Sequence, residues 1–355
     1  MSLIPKAILY YNSRSVWASA ALLALEEKGY GQDEVELKSV DIGKAENLSL
    51  ACLRLNPKGT IPTLVVPLEN TLAPELEHRF KAVTDTKSIV DFLDKSRSAI
   101  SKTNTTSSAP APALAPATIA LSSTSKNVID LLHSEDADPN KLAYHKATDV
   151  EMLKQAGPNL TAFLTTRRDA IARYISESAA AEISASDKTR KLWAEKKAEA
   201  EEYLSVFANT SKSDSDLPSN LKEKRDEFLK TSESLWSVKL KRVFVALDKE
   251  LIGPFVLGDQ LSVADVHLAA WLSRIAYMVG GTVTDTGDEI LGKIERKISN
   301  GFTFPKDFQA PAVLESKVDP SLQVTPGAKR AKLAAFWDDM TARPSWKKVY
   351  ADGLH

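Results

Sequence analysis

Residues 56–66 read Asn56-Pro57-Lys58-Gly59-Thr60-Ile61-Pro62-Thr63-Leu64-Val65-Val66, and the fold is decided here. A turn-forming Asn-Pro-Lys-Gly leads into an Ile-Pro step and then an apolar strand. A proline at the mouth of a strand cannot donate to the ladder, so it belongs at an edge or a bulge. A cis Ile61–Pro62 bond would leave the backbone groups of Ile61 free to pair with an extended peptide ligand.

Three further segments extend that reading. Thr84-Asp85-Thr86-Lys87-Ser88-Ile89-Val90-Asp91-Phe92-Leu93 is a helix start whose unpaired amides and dipole favour an anion. Gly258-Asp259-Gln260-Leu261-Ser262-Val263-Ala264-Asp265-Val266-His267 carries an N-cap, Ser262, with Asp265 as its capping-box partner. Leu261 and Val266 sit where a hydrophobic staple packs. The run that follows to Ile275 is apolar around most of its circumference, which predicts a buried central helix. Near the end of the chain stands Arg343-Pro344-Ser345-Trp346-Lys347-Lys348-Val349-Tyr350.

In content and order the four segments resemble the cytosolic glutathione transferases. Residues 56–66 are similar to that family's cis-proline loop. Asp85-Thr86 stands where the family usually has Glu-Ser, and Phe92-Leu93 where it has Tyr-Leu. The resemblance implies an α/β thioredoxin-like N-terminal domain followed by an all-α C-terminal domain. It implies glutathione as co-substrate, without a metal. Lys58, Ile61, Pro62, Asp85 and Thr86 would hold it, with the cysteinyl part on Ile61 and the γ-glutamyl part at Asp85-Thr86. The family's habit is the homodimer, and inserts of the size found here could rearrange or block that interface.

Bulk composition agrees. The 355 residues suffice for two domains and a large core, and 43% are apolar. Lys and Arg total 46 against 47 Asp and Glu, a net charge of −1. That balance gives no argument for nucleic acid or an anionic membrane surface. Cys52 is the one cysteine, so an intrachain disulfide is excluded and a structural zinc site finds no support. It reads as a buried small hydrophobe. With no leader-like N-terminus and no apolar run of membrane-spanning length, the expectation is a cytoplasmic protein.

Along the chain, strands are predicted at Ala7 to Tyr11, Glu34 to Val40, Thr63 to Val66 and Phe80 to Val83. Helices fall at Val16 to Lys28, ended by Gly29, at Leu48 to Leu55, and around Ser88 to Asp94. This is the β-α-β-α-β-β-α order of a thioredoxin-like domain, assigned to residues 1–97. The connection from Pro67 to Arg79 is longer than the family's. Ser, Thr, Ala and Pro dominate residues 98–125, which predicts a mobile linker. Residues 126–355 read as helical, with pieces at Asn127 to His133, Asn159 to Ile175, Lys188 to Phe207 and Asn220 to Leu251. The insertions motivate an enlarged pocket for a bulky hydrophobic electrophile, with His133 to Tyr144 near its mouth.

The resemblance assigns one chemical task, stabilising the glutathione thiolate near neutral pH. A hydrogen bond to a charged group is worth about 1.5–3 kcal/mol, and so lowers a thiol pKa by about one to two units. Three hydroxyls are candidates in Tyr10-Tyr11-Asn12-Ser13-Arg14-Ser15. Ser15 has the spacing to Gly29 of serine-type members and suits an N-cap. Tyr10 has the local pattern of tyrosine-type members, and Ser13 fits if the helix starts earlier. The bland readings are a helix cap for Ser15 and a core aromatic for Tyr10. The activity implied is conjugation, with peroxidase or ether-cleaving variants and detoxification as the usual setting. The alternatives are a non-catalytic glutathione- or ligand-binding protein and a scaffold for protein contacts.

Overall fold

The computed structural model describes residues 6–67, 80–98, 107–309 and 329–355. A four-stranded mixed sheet forms from β1 (Ala7–Tyr11), β2 (Val35–Ser39), β3 (Thr63–Pro67) and β4 (Phe80–Val83), in the order β2-β1-β3-β4. β1 pairs parallel with β2 and antiparallel with β3, and β4 runs antiparallel to β3. Helix α1 (Val16–Glu27) joins β1 to β2. A 3-10 turn (Glu46–Leu48) and α2 (Leu50–Leu55) lead to β3, and α3 (Thr86–Ser96) follows β4. Leu9, Leu64 and Val66 share one core with Leu23, Ile89, Val90 and Leu93, so α1 and α3 cover the same sheet face.

Gly29 ends α1 with a φ of +66°, a conformation that costs glycine little. A Cβ there would also lie 2.7 Å from the carbonyl oxygen of Pro110. That contact bears on the segment read as a mobile linker. Residues 107–118 are instead tied down. Arg97 donates to the Ala109 carbonyl at 2.9 Å, and Lys28 Nζ donates to the Pro112 carbonyl at 2.5 Å. Asp94 accepts from the amides of Leu114 and Ala115 at 2.9 and 3.0 Å. Leu114 is buried. Composition alone underestimated this span because its order comes from side chains of the first domain.

The helical half contains α4 (Ile119–Leu132), α5 (Pro139–Tyr144), α6 (Val150–Ala179), α7 (Asp187–Phe207) and α8 (Ser219–Ser234). A π-helical turn (Leu235–Leu240) joins α8 to α9 (Lys241–Glu250). Then come α10 (Val263–Met278), α11 (Gly287–Ile298), α12 (Lys332–Ala342) and α13 (Pro344–Val349). α4 starts eight residues earlier than its amphipathic stretch predicts, because Thr118 Oγ1 caps the Leu121 amide. α6 starts at Val150 instead of Asn159, capped by Asp149 at 2.8 Å from the Met152 amide, and runs through Gly157-Pro158. That dipeptide reads as a stop. It is tolerated where Gly157 packs on Thr210, whose Oγ1 lies 2.1 Å from where a Cβ would stand. Residues 68–79, most of the long connection after β3, lie outside the described residues.

α10 is the buried axis, packed against α1 and α4 within a core that spans both domains. Trp271 anchors it by donating to the Ala137 carbonyl at 2.8 Å. Among the described residues no helix is long and apolar enough to cross a membrane.

The Lys28–Asp94 pair is buried, with N–O at 2.8 Å. Removing one member strands the other charge. Asp94→Ala should lower unfolding free energy by about 3–5 kcal/mol, read by urea denaturation, and should release residues 107–116 to rapid hydrogen exchange.

Candidate active site

Strand register brings the candidate residues together. Tyr10 faces Thr63, and Leu64 faces Val83. The end of β1, the start of β3 and the end of β4 therefore lie at the same end of the sheet's strands. The turn before α1, the Ile61–Pro62 loop and the start of α3 all emerge there.

The loop is built by Asn56. Its Nδ2 reaches the Thr60 carbonyl at 2.8 Å, Thr60 Oγ1 at 2.9 Å and Thr63 Oγ1 at 3.1 Å. Its Oδ1 accepts the Lys58 amide at 3.1 Å. Gly59 turns with φ +61°. Ile61–Pro62 is cis, and the ladder begins only at Thr63, so Ile61 lies outside it. Pro62 is buried and the Lys58 side chain is exposed.

At the start of α3, Asp85 is the N-cap. Its Oδ2 accepts the Ser88 amide at 3.0 Å and the Ser88 hydroxyl at 2.8 Å. Burial pulls the Asp85 pKa upward, but these bonds and nearby His133 outweigh it and hold the carboxyl below its ordinary range. Thr86 occupies the first helical position and is buried. The first turn of α3 thus offers backbone amides and a carboxylate side by side, suited to a group bearing both charges.

The three hydroxyl candidates separate. Ser15 is the N-cap of α1, with extended φ and ψ of −91° and 122°. Its Oγ accepts from the Ala18 amide at 3.4 Å, which leaves its proton available to an acceptor outside the helix. Ser13 is exposed in the turn that Asn12 closes. Tyr10 points to the sheet face opposite Leu9. There it lines a small pocket behind the loop with Val40, Cys52, Ile61 and Thr63, and Lys38 Nζ lies 5.3 Å from its ring centre. Cys52 is only half-buried.

One cluster was not legible in the sequence. His133 Nε2 and His267 Nδ1 lie 3.0 Å apart, and the His133 ring stacks on Trp17 at 3.8 Å. The two histidines are 134 residues apart, so no spacing signals the pair. Burial and the nearby Lys87 ammonium lower His133 to about 4. Burial, with help from His133 and Lys87, lowers His267 to about 3. At neutral pH the pair is uncharged and shares one hydrogen bond between α4 and α10.

Residues 14–96 match the family model described as glutathione S-transferase, N-terminal domain. The fold resembles that of the beta-etherase LigF from Sphingobium sp. strain SYK-6, with TM-score 0.50 and 15% identity over 98% of this chain and 99% of that one. Also similar is a glutathione transferase homologue from Sulfitobacter crystallised with glutathione, with TM-score 0.41 and 16% identity over 98% and 99%. Gtt2 from Saccharomyces cerevisiae aligns with TM-score 0.44 and 15% identity over 96% and 99%. No curated protein sequence matches the chain. The architecture is a glutathione-transferase-like one, a thioredoxin-like domain followed by a helical domain.

The buried histidines set an acid limit. The unfolded chain protonates them near 6.5, whereas the folded protein keeps His267 neutral to about 3 and His133, His145 and His355 to about 4. Stability is therefore full above pH 6.5 and is lost as pH falls below it. Asp265, which burial pushes up to about 6, acts in the opposite sense and offsets part of this. Thermal midpoints should fall between pH 6.5 and 4. The fall should be shallower in H267Q, which takes up one proton fewer on unfolding in this range.

Proposed function

We propose that the protein binds glutathione and activates its thiol for attack on a small hydrophobic electrophile, in a cytoplasmic setting. The observation that carries this reading is the convergence at one end of the sheet's strands. Ile61 lies outside the ladder, α3 begins with Asp85, and α1 begins with Ser15. The backbone of Ile61 would pair with the cysteinyl part. The α3 amides would take the γ-glutamyl carboxylate, and Asp85 its ammonium. Lys58, exposed on the same loop, would meet the glycyl carboxylate.

Ser15 is the hydroxyl best placed to donate. It stands at the positive end of α1, where a thiolate is favoured by the dipole as well as by the hydrogen bond. Tyr10 faces the small pocket behind the loop, which suits a packing role.

Calorimetric titration with glutathione, repeated while following the ultraviolet band of the bound thiolate, tests the reading. Binding with thiolate formed near pH 7 is the expected outcome. Binding without thiolate points to a carrier, and no binding at millimolar glutathione to a scaffold. Ser15→Ala should keep glutathione binding and reduce turnover at neutral pH by about ten- to a hundredfold, the factor of one to two thiol pKa units. Tyr10→Phe should leave turnover within about twofold, since a surface-neutral packing change leaves the donor in place.

A further inference from the structure

The long α6–α7 hairpin has no counterpart in a bare thioredoxin-like domain, yet it reaches back to touch one. Arg167 of α6 donates through Nη1 to the Ile42 carbonyl and, at 3.3 Å, to Asn47 Oδ1. The Nδ2 of Asn47 donates in turn to the Gly59 carbonyl at 2.5 Å, inside the Ile61–Pro62 loop. Trp193 of α7 donates to the Leu48 carbonyl at 2.8 Å and is fully buried. Around these bonds Ala45, Leu48 and Leu53 form one apolar cluster with Ile171, Ala185 and Trp193.

The segment they hold has turns of its own, with Asp41 Oδ1 accepting the Gly43 and Lys44 amides and Glu46 Oε2 accepting the Asp41 amide, but no regular helix or strand spans it. Residues 41–48 contain one 3-10 turn, and Ala45 adopts a φ of +54°, a region unfavourable to alanine by about 1 kcal/mol or more. Ala45 is nevertheless fully buried. Leu48, seated under the hairpin, also presses on Gly59, where a Cβ would come within 2.5 Å of its Cδ2. The far end of the hairpin is fixed in the helical domain, where Leu153, Leu164, Leu204 and Phe207 pack with Ala147 and Phe228.

We infer that the α6–α7 hairpin is a built-in brace of the glutathione loop, with Arg167 and Trp193 as positioning residues that act through Asn47 and Leu48. This inference rests on the proposed glutathione site. Neither residue is assigned a contact with the thiol. Their loss should therefore weaken glutathione binding without altering thiol activation. It also gives the insertion a role that needs no contact with the second substrate.

Hydrogen exchange of residues 41–60 and glutathione titration should be compared in wild type, Arg167→Met and Trp193→Phe. The phenylalanine keeps an aromatic ring in the cluster but removes the donor together with part of the indole's volume. Both variants should exchange faster across residues 45–60. Glutathione affinity should fall about three- to tenfold, the factor of one hydrogen bond's net worth. The thiol pKa of bound glutathione and kcat at saturating glutathione should stay unchanged. Arg167→Lys should recover part of the affinity. Unchanged exchange in both variants, or faster exchange with unchanged affinity, overturns the inference. If wild type binds no glutathione, the proposed function fails and the inferred role in glutathione binding fails with it. The exchange comparison would then show whether the hairpin still braces the loop.

Discussion

The Asp265 carboxylate is fully buried, and three donors converge on it. The Ser262 amide and hydroxyl approach at 2.7 and 2.6 Å, and the Val256 amide at 2.6 Å. A buried carboxylate is tolerated only when its lone pairs are occupied. Here that requirement fixes two things together, the first turn of α10 and the loop that precedes it. α10 then supplies the surface on which α1 and α4 pack. Because α1 carries Ser15 at its N-cap and Trp17 in its first turn, the geometry of the candidate site depends on how α10 is seated.

The segment that joins the domains depends on a second buried charge. Asp94 serves Lys28 and two backbone amides at once, so the extended residues 112–115 are held by groups from α1 and α3. The Val263 amide donates to the Leu114 carbonyl at 3.0 Å and carries the connection to the start of α10. The domains are thus joined by polar bonds within an apolar core, and their relative orientation is fixed as well as their packing.

The α6–α7 hairpin follows similar rules. α6 and α7 expose charged faces with pairs such as Lys197–Glu201, which contribute little to stability. What ties them to the rest of the chain are a few buried groups, Trp193 above all. The His133–His267 pair meets the same constraint differently. With no acid in the pair, both rings remain neutral, and the bond between them satisfies one nitrogen of each.

The sequence carried the local signals, because these depend on neighbours a few residues apart. The Asn56–Val66 turn and strand, the glycine ending α1 and the Ser262–Asp265 box are all of this kind. From them the thioredoxin-like order and the central helix were legible, and the residues proposed for the site were drawn from the same segments. Contacts between distant positions were decided only by the tertiary structure. Asp94 orders a proline-rich span that its own composition leaves unfavourable to order. Thr210 seats the Gly157-Pro158 step, Trp17 stacks on His133, and Arg167 reaches Asn47. Each is a packing or hydrogen-bond relation between residues far apart in the chain, and a single sequence holds no periodicity or spacing that encodes it.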